Sequence, residues 1–136
     1  MPSNFFALYT GTLGIINSAL GISMFANLKK TAEAAHGKET AEQLRLSENL
    51  LLDASERLVG VVLSSLGFVY LAVSSVTDKQ VQLRIAVAGL MSQVMLFGWR
   101  WAVERHLDPL KTDWKKQAVG DLIFATGWLY AIYSAQ

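Results

Sequence analysis

The chain has 136 residues, of which 52% are hydrophobic and only 17% charged, whereas about a quarter of the residues in ordinary soluble domains are charged. It contains no cysteine, which excludes disulfides, thiol catalysis and cysteine-based metal sites. A formal net charge of +1, with no basic stripe interleaved with aromatic residues, predicts that nucleic acid is not a partner. Its length is that of a single domain, residues 1–136.

The charges are clustered, and four long stretches contain none. These stretches are 2–28, 58–76, 85–99 and 122–136. As a helix, the nineteen residues of the second stretch cover roughly 28 Å, close to the thickness of a bilayer's hydrocarbon core. The pattern predicts an all-α integral membrane protein, an up-down-up-down four-helix bundle. The alternative, a soluble helical bundle with a very apolar core, is disfavoured because the first two stretches have no polar face.

The first predicted membrane helix runs from about Asn4 to Leu28 and carries a stripe of small residues at three- and four-residue steps. The stripe comprises Gly11, Gly14, Ser18 and Gly21. Such a stripe lets another helix backbone approach closely. Asn17 lies in the middle of this helix and needs a hydrogen-bond partner there, either on another helix or on a bound substrate.

A polar connector, Lys29–Gly37, follows the first helix. The sequence Thr40–Gln43 fits a capping box with Thr40 as the N-cap, so a helix is predicted to start there and run through Asp53 into the second membrane helix. Its first part is amphipathic and is expected to lie against the end of the bundle or the lipid surface. The apolar stripe that supports this comprises Leu44, Leu51, Ala54 and Leu58.

The second and third membrane helices are predicted to form a tight hairpin. The second ends near Val76, and a capping box at Thr77–Gln80 opens the third, which runs over about 81–103. A turn at Asp108-Pro109 and a cap at Thr112 or Asp113 precede the fourth helix, which needs most of 116–136 to span a bilayer.

The basic residues predict how the chain is oriented in the membrane. Lysine and arginine are concentrated in the joints 29–52 and 105–117. The positive-inside rule places these joints in the cytosol and both termini on the opposite side, as in a multi-pass protein of the endoplasmic reticulum. Trp99 and Trp101 flank Arg100 as the aromatic belt at a membrane interface would.

The same topology brings charged residues from three helices to one end of the bundle. They are Asp53, Glu56, Arg57, Arg100, Glu104 and Asp121. One interpretation is that they are ordinary interfacial charges, paired or snorkelling to water. The other is a polar pocket, favoured most by Asp53 and Asp121, because a carboxylate is too short to snorkel far.

Two carboxylates with an arginine between them can perform acid–base chemistry without a cofactor. One ionised acid accepts a proton from water or a hydroxyl, and the other, kept neutral, donates a proton to a leaving oxygen. The six charged residues are therefore the catalytic candidates, with Asn17, Trp99 and Trp101 as substrate contacts. No metal site is predicted, because His36 and His106 lie in the polar joints without ligand-like spacing.

In size, hydropathy and the acidic–arginine segment Asp53-Ala54-Ser55-Glu56-Arg57, the whole chain resembles small four-helix membrane proteins of fungal polyketide and meroterpenoid pathways. Some of these are assigned as epoxide hydrolases or cyclases. The resemblance implies an enzyme that hydrolyses or cyclises an epoxide on a lipophilic natural product, in contact with the bilayer. It assigns no catalytic residue.

Two other functions fit the same sequence. One is a non-enzymatic membrane scaffold or lipid-binding subunit, which would use the small-residue stripe and the amphipathic extension. The other is a small carrier, against which the lack of internal repeats and the small number of helices argue unless it forms a homo-oligomer. An enclosed cavity lined by acids would favour catalysis, and acids turned to solvent would favour a scaffold.

Overall fold

A computed structural model describes residues 4–43, 50–107 and 114–136, and within them the chain is helical, without a strand. The α-helices are α1 Phe5–Ala26, α2 Leu28–His36, α3 Lys38–Gln43, α4 Leu50–Val73, α5 Lys79–Ala102 and α6 Trp114–Ala135. A short 3₁₀ helix, Glu104–His106, follows α5. The predicted all-α class is confirmed, and each of the four predicted membrane segments forms a long helix.

Among the described residues, three stretches are long and apolar enough to cross a membrane, namely α1, α4 and Lys79–His106. The fourth long helix, α6, has 22 residues but is not among the three. Asp121 and the aromatic–polar residues Trp128, Tyr130 and Tyr133 lower its hydropathy. The all-helical, membrane-length character is therefore observed, and the four-helix up-down arrangement remains a prediction.

The long helices leave many large apolar side chains on the outside. Leu8 is 70% exposed, Met95 75% and Ile123 65%. A soluble monomer rarely exposes apolar surface on this scale, whereas a helix in contact with lipid does so along its length.

The chain forms two compact units, one of residues Thr10–Val73 and one that joins Met1–Tyr9 with Ser74–Gln136. We call the first the α1/α4 unit and the second the α5/α6 unit. Each has its own way of holding helices together.

In the α1/α4 unit, two helices meet along a seam of small residues. Three of the four residues of the predicted stripe, Gly14, Ser18 and Gly21, face α4. Their counterparts there, with the same spacing, are Gly60, Ser64 and Gly67. The helices are antiparallel, because Gly14 meets Gly67 and Gly21 meets Gly60. A methyl group added at these positions would strike the backbone or a side chain of the facing helix. The expected close approach of another helix to this stripe is confirmed.

The short helices α2 and α3 pack at one end of this seam. Leu28, Ala32 and Ala41 form a buried cluster with Met24 and Leu52 beside it. The prediction of a polar connector over Lys29–Gly37 is wrong, because most of it is α2. Two features produce this helix: the side chain of Asn27 accepts a hydrogen bond from the backbone of Lys30, and apolar residues four apart reach the core.

The predicted start of the next helix is also wrong. The helix α3 begins at Lys38 rather than after Thr40, which lies inside it. Gly37 adopts a φ of 88°, which a side chain rarely tolerates, and its carbonyl accepts from the backbone of Ala41. The predicted continuation into the second membrane helix, including Leu44, crosses residues 44–49, which are outside the described part of the chain. Of that apolar stripe, Leu51 and Leu58 are exposed.

In the α5/α6 unit, α5 begins at Lys79, inside the predicted capping box Thr77–Gln80 and two residues before the predicted start near Val81. The N-cap is Asp78, whose carboxylate accepts from the backbone of Val81 at 2.9 Å, and not Thr77. A carboxylate interacts better than a hydroxyl with the positive end of the helix dipole. The predicted turn at Asp108-Pro109 and the cap at Thr112 or Asp113 lie outside the described residues.

Side chains rather than backbones hold the α5/α6 unit together. The ring of Trp128, which is fully buried, fills the space left by Gly89 on α5. Tyr9, at the start of the chain, packs edge-to-face on Trp128 and donates a hydrogen bond to the Phe124 carbonyl at 2.6 Å. Gly89 contacts Trp128 and Arg100 contacts Asp121, so α5 and α6 are antiparallel and the face of α6 that carries Trp128 is turned toward α5.

Candidate acid–base site

Arg100, in the last turn of α5, is shared between two carboxylates. Its Nε donates to Asp121 Oδ2 at 2.5 Å, and its Nη1 donates to both oxygens of Glu104 at 2.8 and 3.0 Å. The side chains of Arg100, Glu104 and Asp121 are 15%, 17% and 6% exposed. The result is a largely buried carboxylate–guanidinium–carboxylate group, called here the Arg100 triad.

Local structure explains how each side chain of the Arg100 triad is positioned. Asp121 lies on the buried stripe of α6 with Ala118 and Trp128, so it faces α5 rather than the outside. Glu104 opens the 3₁₀ helix that follows α5 and is four residues after Arg100, the spacing at which side chains on one helical face meet. A cation in the last turn of α5 is also favoured by the dipole of that helix.

Two acids share one arginine, so the triad is neutral only when one of the two acids carries a proton. Removing ions from water is costly, and the attraction within the group offsets that cost only with good hydrogen-bond geometry. An arginine between two carboxylates keeps them apart in a fixed orientation. Within the described residues, no group of three histidine, aspartate or glutamate side chains could hold a metal ion.

A second arginine, Arg57 on α4, has different partners. Its Nε donates to Asp53 at 2.7 Å, and its Nη1 donates to the backbone carbonyl of Phe25. The Phe25 carbonyl belongs to the last turn of α1, which contains no basic residue and leaves its final carbonyls without a partner inside the helix. Arg57 therefore caps α1 from the neighbouring helix, with Asp53 holding the guanidinium in place. Glu56, the next candidate, is partly buried on the same helix.

The structure thus brings Arg100, Glu104 and Asp121 together, and it brings Asp53 and Arg57 together. The first group belongs to the α5/α6 unit and the second to the α1/α4 unit. The convergence of both groups on one pocket stays a prediction.

The proposed substrate contacts belong to different units of the chain. Asn17 is partly buried in the middle of α1. Trp99 and Trp101 are each 51% exposed near the end of α5.

Trp101 belongs to an aromatic–basic cluster that sequence reasoning did not identify. Its ring lies edge-to-face against Trp114 of α6, with centroids 5.9 Å apart. The guanidinium of Arg105 sits 4.2 Å from the centre of the Trp101 ring. The spacing of four residues between Trp101 and Arg105 could have signalled that contact, but the partner on α6 required the fold.

In the part of the chain that the structure describes, the fold is all-helical, with three helices long and apolar enough to cross a membrane. It belongs to the family described as Domain of unknown function (DUF7865), whose model matches residues 1–129 and so includes both arginine clusters. No curated protein and no solved structure matches the chain.

Proposed function

We propose that the protein is an integral membrane enzyme that opens an epoxide on a lipophilic substrate, either with water or with a hydroxyl of the substrate itself. The Arg100 triad is the catalytic group. The observation that carries the proposal is that one arginine donates to two carboxylates, from α6 and from the end of α5, in a largely buried place.

The two carboxylates have complementary roles in this reaction. Asp121, ionised and held by the Arg100 Nε–H, takes a proton from the attacking water or hydroxyl as the new carbon–oxygen bond forms. Glu104, protonated, gives its proton to the epoxide oxygen as the old carbon–oxygen bond breaks. One proton is taken and one is given, so the reaction needs no cofactor. Each turnover leaves a proton on Asp121 and removes one from Glu104, so Asp121 must pass its proton to Glu104, directly or through water, before the next turnover. Glu104 is the more exposed acid and can exchange protons with solvent.

Arg100 is the positioning residue. Its planar guanidinium holds the carboxylates at fixed angles through separate N–H groups and stays charged throughout. It also stabilises each carboxylate as an anion when that acid has lost its proton.

The membrane supplies both the substrate and its route to the site. The uncharged run 85–99 ends directly at Arg100, so the triad lies where apolar helix surface gives way to polar residues. A lipophilic epoxide dissolved in the bilayer would reach that boundary with its polar oxygen foremost. The basic joints then face the cytosol and both termini the other side, by the positive-inside rule.

The test is turnover of a panel of long-chain epoxides by the purified chain in nanodiscs, with the product diol or cyclic ether measured by mass spectrometry. Asp121→Asn and Glu104→Gln should each lower turnover by at least about 10²-fold, as loss of an acid or base does. With ¹⁸O-labelled water, a hydrolysis product should carry the label after a single turnover. Wild-type activity in both variants would contradict the proposal.

Asp53→Asn is the matched control, because Asp53 also pairs with an arginine four residues away. A retained turnover would limit the site to the Arg100 triad. A loss as large as that of Asp121→Asn would mean that Asp53 takes part in catalysis as well.

The alternative function is a non-enzymatic membrane scaffold. The observation in its favour is that Arg57 and Asp53 have a structural task, the capping of α1, so arginine–carboxylate groups in this chain need not be catalytic. This alternative predicts that Asp121→Asn lowers stability only, and that no epoxide is turned over.

A further inference from the structure

We propose that the outer surface at the α5/α6 end, formed by Trp101, Arg105, Trp114 and Lys115, binds the headgroups of anionic phospholipids. The inference rests on the membrane insertion proposed above but not on the proposed catalysis. We call this surface the Trp101 patch.

The Trp101 patch lies where the membrane surface is expected. The uncharged run of α5 ends at Arg100, and the chain leaves the helix three residues later at Val103. Two half-exposed indole rings, Trp99 and Trp101, stand at this point. Tryptophan favours the headgroup level of a bilayer, because one part of its ring is apolar and the indole N–H is polar.

Arg105 provides a cation that is held in a fixed orientation. Its guanidinium stacks over the Trp101 ring at 4.2 Å, and its Nε donates to His106 Nε2 at 2.9 Å. Neither partner is an anion. The terminal N–H groups lie in the plane of the guanidinium, where two of them can donate to two oxygens of one phosphate.

The neighbouring acid does not neutralise this cation. Glu104 directly precedes Arg105, but its two carboxylate oxygens both accept from Arg100. The fold therefore separates the charges at this end of the helix pair. The acids Glu104 and Asp121 are bonded to Arg100 and largely buried, and Arg105 lies over the outer indole ring.

A second cation comes from α6. Lys115 is exposed in the first turn of that helix, next to Trp114. The edge-to-face contact between Trp101 and Trp114 brings the beginning of α6 beside the end of α5. The end of the helix pair that carries the two indole rings therefore also carries two cations, Arg105 and Lys115, which suits an anionic headgroup above an acyl chain.

The surrounding sequence favours a lipid over a free anion. The joint 105–117 contains four basic and two acidic residues, and such basic segments beside a membrane helix attract anionic lipids. A free phosphate would need the cations alone, whereas a phospholipid also covers the exposed part of the Trp101 ring, 51% of that residue's surface.

The experiment measures quenching of tryptophan fluorescence in the full chain reconstituted into phosphatidylcholine vesicles. Brominated phosphatidylglycerol is compared with brominated phosphatidylcholine at the same mole fraction. We expect the anionic lipid to quench at least roughly twofold more strongly, and the difference to shrink in high salt. The double variant Arg105→Gln/Lys115→Gln should lose the difference.

The matched control is Lys79→Gln/Arg84→Gln, which removes two exposed cations from the other end of α5. It should retain the preference for the anionic lipid. Equal quenching by both lipids in the unmodified chain, or a preference that survives in Arg105→Gln/Lys115→Gln, would overturn the inference. So would abolition of the preference by millimolar inorganic phosphate, since the site would then bind a free anion.

The outcome separates this inference from the proposed function. Asp121→Asn should keep the lipid preference while losing turnover. If neither brominated lipid quenches the fluorescence, the membrane insertion and the lipid site both fail. If both lipids quench equally while Asp121→Asn still abolishes turnover, only the lipid site fails.

Discussion

The two helix pairs of this chain are held together by different contacts. In the α1/α4 unit, glycines let the helix backbones meet, and the arginine at its end, Arg57, is 39% exposed and caps a helix. In the α5/α6 unit, Trp128 fills the gap between the helices, and Arg100 is 15% exposed between two acids.

Each arginine also pairs with an acid four residues away on its own chain segment. What distinguishes them is the second partner, a backbone carbonyl for Arg57 and another carboxylate for Arg100. The role of an arginine–carboxylate pair therefore depends on which group a neighbouring helix places beside it.

The largest difference should appear when each arginine is removed. Arg100→Ala leaves two carboxylates buried without a cation and should destabilise the protein by about 3–5 kcal/mol. Arg57→Ala leaves Asp53 and the Phe25 carbonyl without the guanidinium, but this pair is already partly exposed to water. The variant should therefore destabilise the protein much less. Unfolding by a denaturing detergent in mixed micelles measures both. Similar losses in the two variants would remove the distinction between the sites.

A conservative change should separate positioning from charge. Arg100→Lys keeps the cation but loses the fork that reaches both acids, so turnover should fall by about 10²-fold while the protein still folds. In Arg57→Lys, turnover should stay near that of the unmodified protein. A lysine at position 100 that supports full activity would show that only the charge matters there.

The glycine seam should be sensitive to a single methyl group. In Gly21→Ala the new Cβ would strike the Gly60 carbonyl and Ser64 on α4, with an expected cost of about 1–3 kcal/mol. Gly98→Ala on α5 is the control, because its Cβ would meet nothing within 4 Å. It should be neutral or stabilise by up to about 1 kcal/mol, since alanine favours a helix. Unfolding by the denaturing detergent measures the stability of both variants. Equal changes in stability would argue against backbone contact at the seam.

The smallest effects should be alike in the two units. Asn27→Ala and Asp78→Ala each remove a helix N-cap and should cost about 1 kcal/mol. Hydrogen exchange should show the loss in the first turns of α2 and α5 respectively. Thr77→Ala, the residue that the sequence pattern favoured as a cap, should leave exchange in α5 unchanged.

The long helices could be predicted from the sequence because helix formation and apolar length are local properties. The uncharged stretches around residues 2–28 and 58–76 marked α1 and α4, and the third and fourth stretches marked α5 and α6. The predictions were wrong where two local structures were about equally compatible with the sequence. Thr77 and Asp78 can both cap a helix, and α2 depends on the packing of Leu28 and Ala32 as much as on its own polar sequence.

The candidate site was only half predictable. Arg100 and Glu104 are four residues apart, so their pairing followed from helical geometry alone. Arg100 and Asp121 are 21 residues apart in the chain and lie on different helices, and Arg57 and Phe25 are 32 residues apart. Both arginines lie near acids in the sequence. Their sequence neighbours do not show which arginine would also bind a second carboxylate and which a backbone carbonyl.

The amino-acid sequence by itself determined the helical class, the membrane-length segments and the stripe of small residues on α1, because each follows from periodicity and hydropathy within one segment. The tertiary structure alone decided that Gly60, Ser64 and Gly67 face that stripe, and that Arg100 rather than Arg57 joins two acids. The backbone N–H and C=O groups of a helix find their hydrogen-bond partners within the same helix, so a local sequence is enough to predict it. The partners of a guanidinium or of a glycine surface come from whichever helix packs against it.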